Sequence, residues 1–236
     1  MERRSIETIV DTLNRAQVRY LVVGGLAVVA HGFVRFTADI DLVLDPEPGA
    51  IRRSIEALSG LGYRPRAPVP FAEFADPEQR RAWLRDKQLT VFSVFSSEHP
   101  ATEIDLFVET PFDFERAYAD GDRFEVASGV AATFVGLADL IAMKRKAGRP
   151  QDLQDVAELE SNSRPRASPV PDPETREGQM WEAGWQGHAE AQRARIARLP
   201  LREKLRWLEE AQLIILHLRR GPEPRRDGAH PDRPRR

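Results

Sequence analysis

Apolar positions along the first 160 residues switch between helical and strand spacing, which predicts an α/β domain. Ile6, Ile9, Val10 and Leu13 recur at three- and four-residue steps, the spacing of one helix face. Runs rich in β-branched and aromatic residues predict strands at 19–23, 39–44, 89–95 and 103–108, with weaker strand signals at 124–127 and 132–135. Helical patterns lie between or after them at 26–30, 51–58, 77–85, 137–147 and 151–160. We therefore expect a small mixed β-sheet backed by helices.

The chain after residue 160 has a different pattern, which predicts an appended helical segment. Residues 161–180 are rich in proline and poor in apolar side chains, as expected of a linker. Residues 181–220 are predicted to be helical, and their strongest helix carries a stripe of Leu201, Leu205, Leu208, Ala211, Ile215 and Leu218. Residues 221–236 are rich in proline and arginine and predict a disordered tail.

Composition narrows the class of protein. The chain has no cysteine, which excludes disulfides and thiolate metal sites. No apolar run approaches the ~20 residues of a membrane helix, and the first residues lack a secretory apolar core. The expectation is therefore a soluble cytoplasmic protein without a membrane partner.

The charge is distributed unevenly between the two parts. Residues 1–160 carry 19 basic and 26 acidic side chains, whereas residues 161–236 carry 16 and 11. Opposite net charges favour docking of the second part on the first, or its approach to nucleic acid. A solvated arginine-rich tail is the alternative that the composition leaves open.

Three aspartates form the strongest chemical signal. Asp39 and Asp41 are two residues apart on a predicted strand, so their side chains share one face. Asp105 lies on a later strand with the same alternation, and it joins the pair if the two strands are neighbours. Carboxylate oxygens in this arrangement suit Mg²⁺ or Mn²⁺, and a third carboxylate can accept the proton of an attacking hydroxyl. The alternative is an exposed acidic strand face.

A Gly24-Gly25 pair precedes these acids, where a predicted strand ends and a helix begins. Glycines at such a turn let a phosphate approach the backbone, and free N–H groups of the helix favour an anion. The pair alone also fits an ordinary tight turn. The order of strand, Gly-Gly, helix, Asp-x-Asp strand and further strand aspartate is the more specific signal.

That order resembles the DNA polymerase β-like nucleotidyltransferase superfamily. The chain resembles its AbiEii/AbiGii toxin-like branch, which belongs to type IV toxin–antitoxin systems. The resemblance extends over about residues 5–160 and is carried by residues 24–27, 31–32, 35–42, 142–144 and 148–155. Many members of the superfamily have Gly-Ser where this chain has Gly24-Gly25.

The resemblance implies a role for each matching residue. Asp39, Asp41 and Asp105 would bind Mg²⁺ or Mn²⁺ and carry catalysis, and the nucleoside triphosphate would contact Gly24, Gly25, Arg35, Thr37 and Lys144. Arg35 and Thr37 could instead orient the acids. Asp152 and Asp155 share a helix face, and pairing with Lys144, Arg145 or Arg149 is their structural alternative.

The implied activity is transfer of a nucleoside monophosphate from an NTP to a hydroxyl. The resemblance favours the 3′ end of a tRNA or other RNA as acceptor and a toxin-like role. Residues 198–211 are similar to small bacterial proteins encoded beside such enzymes, so 181–220 would act as a partner-like segment that docks on the domain. An antitoxin-like protein partner, or a non-catalytic module that binds nucleotide or partner, remains the alternative.

Overall fold

A computed structural model describes residues 2–163, 192 and 194–220 of the chain. The predicted linker from residue 164 onward and the predicted tail at 221–236 lie outside the described residues. Most of the predicted helical segment before residue 194 lies outside them as well.

One mixed sheet organises the domain and confirms the predicted α/β class. Its strands are β1 (Tyr20–Val23), β2 (Asp39–Leu44), β3 (Arg64–Pro65), β4 (Val91–Phe95), β5 (Glu103–Phe107), β6 (Asp122–Ala127) and β7 (Val130–Phe134). The order across the sheet is β3-β4-β5-β2-β1-β7-β6. Strand β2 pairs in parallel with β5 and antiparallel with β1, so β2 lies in the centre of the sheet.

The helices surround this sheet. They are α1 (Arg3–Arg15), α2 (Gly24–Ala30), α3 (Pro48–Gly60), α4 (Pro77–Lys87), α5 (Phe114–Ala119), α6 (Leu137–Ala147), α7 (Pro150–Ser163) and a C-terminal helix (Leu201–Arg220). Side chains fix several of their starts: Glu47 accepts from Gly49 and Ala50 at the start of α3, and Asp76 accepts from Glu78 at the start of α4. Helix α7 continues to Ser163, three residues into the predicted linker.

The core lies between the helices and one face of the sheet, to which every second residue of β2 and β5 points. Ile40 and Leu42 of β2 and Ile104 and Leu106 of β5 are buried, which leaves the intervening acids on the other sheet face. The predicted stripe of α1 is buried as well.

The C-terminal helix packs on this same core. Leu201, Leu205 and Leu208 are buried against the domain, with contacts to α1, α2 and β6. The second half of the predicted stripe behaves differently, because Ile215 is 39 % exposed. The apolar pattern therefore marks the docked face only for the first part of the helix.

Three elements have no counterpart in the sequence prediction. The prolines at 65, 68 and 70 predict a loop, but β3 lies in this region and a 3₁₀ helix follows it at Phe71–Ala75, whose Phe71 and Phe74 are buried. Helix α5 has no counterpart in the prediction, because six residues are too few to show a helical period. Among the described residues no helix is both long and apolar enough to span a membrane.

Candidate active site

The three predicted aspartates come together on the open face of the sheet. Strands β2 and β5 are parallel neighbours, in which Asp41 lies opposite Asp105 and Asp39 opposite Glu103. From the sequence, Asp105 joins Asp39 and Asp41 only if the two strands are neighbours. The observed register meets that condition.

The electrostatics of Asp41 reflect this crowding. Burial, together with the negative charges of Asp39 and Asp105, raises the pKa of Asp41 to about 7. A hydrogen bond from the Gly25 backbone and the charge of Lys144 oppose the shift. Burial raises the pKa of Asp105 too, against a hydrogen bond from Ser93. The site therefore concentrates negative charge that a cation would neutralise.

Gly24 and Gly25 lie directly against the acids. A Cβ on Gly24 would lie 1.8 Å from Asp41 Oδ2, and a Cβ on Gly25 would lie 2.4 Å from Thr37 Oγ1. The φ of Gly24 is +63°, in the left-handed region that favours glycine. The packing of Asp41 and Thr37 therefore requires glycine at both positions. This requirement holds whether or not a phosphate approaches the backbone there.

Thr37 connects this turn to the acids. Its hydroxyl donates to Asp39 Oδ1 at 2.9 Å, and its side chain occupies the space that a residue larger than glycine would need at position 25. The contact fixes the orientation of the Asp39 carboxylate. This is the orienting role that the sequence reading left open for Thr37.

Arg35 and Lys144 meet at a buried carboxylate. Asp155 is fully buried and accepts from Arg35 Nε at 2.7 Å and from Arg35 Nη2 at 2.9 Å. Lys144 Nζ lies 2.9 Å from Asp155 Oδ2 and 2.7 Å from Asp152 Oδ1. Burial alone would raise the pKa of Asp155, but the bonds from Arg35 and Lys144 hold it below its usual range.

These ion pairs show that Asp152 and Asp155 are structural partners of Lys144. Lys144 is only 9 % exposed, so it is not a solvated helix lysine. Its ammonium pairs with both aspartates of α7 and still acts on the charge of Asp41. Whether it contacts a phosphate stays a prediction.

Sequence reasoning did not single out Ser93 and Arg66. Ser93 lies opposite Asp105 on the antiparallel neighbour β4 and donates a hydrogen bond to it. Arg66 forms an ion pair with Glu103. The only sequence signal for Ser93 is a polar position within an apolar strand, and it acquires meaning once the strand order is known.

The donor set can be tested against a divalent cation. The three aspartates offer only carboxylate oxygens, which fits Mg²⁺ or Mn²⁺. Within residues 2–163, 192 and 194–220, no three acidic or histidine side chains form a complete ion-binding group. The acids fit a site completed by substrate phosphates and water, the usual coordination of Mg²⁺ in phosphoryl-transfer proteins.

Comparisons with known proteins agree at the level of the family. A family model described as "Nucleotidyltransferase of unknown function (DUF6036)" matches residues 4–162. The match supports the superfamily that the motifs resemble, but it does not support the toxin-like branch. The search of curated proteins found no match.

A solved structure shows a distant likeness. It is the crystal structure of the lincosamide antibiotic adenylyltransferase LnuA with bound lincomycin. The two chains are 14 % identical, the alignment covers 65 % of this chain and 92 % of that chain, and the TM-score is 0.44. Likeness at this level does not identify a substrate.

Proposed function

Because the chain belongs to this nucleotidyltransferase family (DUF6036), we propose that it transfers a nucleoside monophosphate from an NTP to a hydroxyl group, with a divalent cation. The observation that carries the proposal is the register of β2 and β5. It sets Asp41 beside Asp105, with Asp39 on the same strand face as Asp41. This arrangement lies within the residues that the family model matches.

Asp39, Asp41 and Asp105 would hold the cation, Mg²⁺ or Mn²⁺. When bound, the ion supplies positive charge that stabilises the phosphates of the nucleotide during transfer. The raised pKa of Asp41 supports this assignment, because its main causes are burial and neighbouring carboxylates.

The chain's own groups act on the reacting atoms. The acceptor oxygen forms a bond to the α-phosphorus while the bond from that phosphorus to the bridging oxygen breaks, and pyrophosphate leaves. Asp105 accepts the proton of the acceptor hydroxyl. Thr37 holds Asp39 through its 2.9 Å hydrogen bond.

The triphosphate would lie on the Gly24-Gly25 side of the acids. Gly24 is only partly buried there, so its backbone can be approached, and Arg35 and Lys144 add positive charge nearby. Both cations are already bound to Asp155. Arg35 and Lys144 would therefore act on phosphate chiefly through their positive charge. Arg35 also fixes the position of the loop that carries Thr37.

The acceptor we favour is the 3′ end of a tRNA or other RNA, and the motifs that resemble the toxin-like branch suggest a toxin-like role. Both finer assignments rest on that resemblance. The alternative is a non-catalytic module that binds a nucleotide or a partner protein. The intact set Asp39, Asp41 and Asp105 speaks against it, because a binding module has no need of all three.

The test is incubation with each labelled NTP, Mg²⁺ and total RNA. We expect label on RNA with the wild type and at least a ~100-fold loss with Asp41→Asn, because charge stabilisation at the reacting phosphate is removed. Asp122→Asn, an exposed aspartate at the start of β6, is the matched control and should keep full activity.

Each outcome separates the candidates. Label on protein or on a small molecule would retain nucleotidyl transfer and replace the acceptor. Nucleotide binding without transfer to any acceptor would favour the non-catalytic module. Equal activity of Asp41→Asn and wild type would exclude the proposed site.

A further inference from the structure

Beyond the acids, the same sheet face continues to a cationic edge. Arg64 lies opposite Phe95 on β4, and the Arg66 backbone N–H donates to Ser93. Directly opposed residues of antiparallel strands share a face. One row across the sheet therefore runs Arg66, Ser93, Asp105, Asp41.

Two arginines and one aromatic ring form the end of this face. The guanidinium carbons of Arg64 and Arg66 lie 4.8 Å and 5.2 Å from the centre of the Phe95 ring. We call Arg64, Arg66 and Phe95 the arginine–phenylalanine patch. Contact with the ring orients both guanidinium groups.

The patch is available to a ligand. Arg64 is exposed, and within the described part of the chain its guanidinium has no hydrogen bond or ion pair and lies against Phe95. Arg66 pairs with Glu103, but the two side chains are 57 % and 42 % exposed. Water screens an exposed pair of this kind, so a phosphate can compete with the carboxylate for Arg66.

The position of the patch relative to the acids indicates which substrate it would bind. Gly24 and Gly25 follow β1 on one side of the acids, whereas the patch lies on β3 and β4 on the other side. In phosphoryl transfer the attacking and leaving oxygens lie roughly in line on opposite sides of the phosphorus. If the triphosphate occupies the glycine side, the acceptor approaches from the side of the patch.

We propose that the arginine–phenylalanine patch binds the phosphodiester backbone of a single-stranded RNA acceptor whose 3′ hydroxyl lies at the carboxylates. The inference rests on the proposed function and adds the residues that select the acceptor class. Guanidinium groups match phosphate oxygens in geometry and charge. Strands β3 and β5 are two positions apart, so the backbone of the patch arginines is about 10 Å from β5, within the reach of the first nucleotides of an acceptor strand.

The binding experiment needs no catalysis. A 5′-labelled single-stranded RNA oligonucleotide is titrated with protein, and fluorescence anisotropy is recorded without NTP at several salt concentrations. We compare wild type, Arg64→Gln/Arg66→Gln and the control Arg52→Gln/Arg53→Gln. The control removes two exposed arginines from α3 and matches the net charge.

We expect the patch variant to bind the RNA about tenfold more weakly, while the control keeps wild-type affinity. Loss of two phosphate contacts should also lower the slope of log affinity against log salt by about 1.4. Thermal melting of each variant verifies that the fold is retained.

The inference is overturned if wild type does not bind the oligonucleotide at low salt, or if both double variants bind it equally. It is also overturned if the patch variant raises the KM for NTP with unchanged RNA affinity, because the patch then serves the triphosphate. RNA binding through the patch without nucleotidyl transfer would support the patch and contradict the proposed function. Transfer to a non-RNA acceptor without RNA binding would do the reverse.

Discussion

At the scale of single residues, the contact between the glycine turn and the acids is the tightest feature of the site. Gly24 faces Asp41 and Gly25 faces Thr37 at distances that exclude any side chain. The sequence indicated a turn suited to phosphate, since glycine patterns point to backbone exposure. The packing reason depends on the fold, because nothing local in the sequence places Thr37 against Gly25.

Gly25→Ala should therefore destabilise the protein and slow transfer. The new Cβ would lie 2.4 Å from Thr37 Oγ1 and 2.9 Å from Thr37 Cβ, so the Thr37–Asp39 hydrogen bond must move. We expect a loss of about 1–3 kcal/mol in the free energy of unfolding, measured in urea. Gly60→Ala is the control, because nothing lies within 4 Å of its added Cβ. Wild-type stability and activity of Gly25→Ala would contradict the packing argument.

At the scale of elements, the local sequence pattern predicted the bounds of single strands better than it predicted which strands pair. The predicted strand at 39–44 agrees with β2 at both ends, because alternating acids and apolar residues end at Asp45-Pro46. Its pairing with β5 had to be assumed, since strand order depends on contacts distant in sequence. The 3₁₀ helix at Phe71–Ala75 escaped prediction because the prolines that precede it, Pro65, Pro68 and Pro70, are typical of a loop.

The network of Asp155 joins helices α6 and α7 to the loop that carries Arg35, and its loss should weaken all three. Asp155→Asn keeps the shape but leaves Arg35 and Lys144 without the buried negative charge that both now contact. We expect about 3 kcal/mol lower free energy of unfolding. Gln154→Ala, at an exposed position of the same helix, is the control and should have little effect.

The pH dependence of that difference has a defined sign. The pKa of Asp155 is below its usual range in the folded protein, so its stabilising charge is present above about pH 4 and is lost as the pH falls further. The gap between wild type and Asp155→Asn should therefore narrow in acid. A gap that stays constant from pH 7 to about pH 3 would contradict the assignment of its cause.

At the scale of the whole molecule, the C-terminal helix shows how the uneven charge is used. Arg202 pairs with Glu125 of β6, and Glu209 pairs with Arg3 of α1. Between them, Lys204 donates to the Val29 and Ala30 carbonyls at 3.3 Å each, at the end of α2. The helix that begins at the glycine turn is thus held at its other end by the appended segment. A regulatory role of this docking stays a prediction.

Lys204 makes the stability of this docking dependent on pH. Burial lowers the pKa of Lys204 to about 8, so the docked protein binds this proton less tightly than the unfolded chain does. The full cost of burying the charge is present below pH 8, and it is relieved as the pH rises toward the unfolded value of about 10.4. Wild type should therefore gain roughly 2–3 kcal/mol relative to Lys204→Met between pH 7.5 and pH 10, measured by denaturant unfolding at each pH.

The control for this titration is Lys146→Met, which removes an exposed ammonium of α6. Groups that titrate in every variant cancel when each variant is compared with wild type at the same pH, so the Lys146→Met difference should stay flat across the range. A rising difference for Lys204→Met alone assigns the pH dependence to the ammonium at the end of α2. Parallel behaviour of the two variants would show that Lys204 is not buried by the domain in solution, and that the C-terminal helix is not docked as the contacts of Leu201, Leu205 and Leu208 indicate.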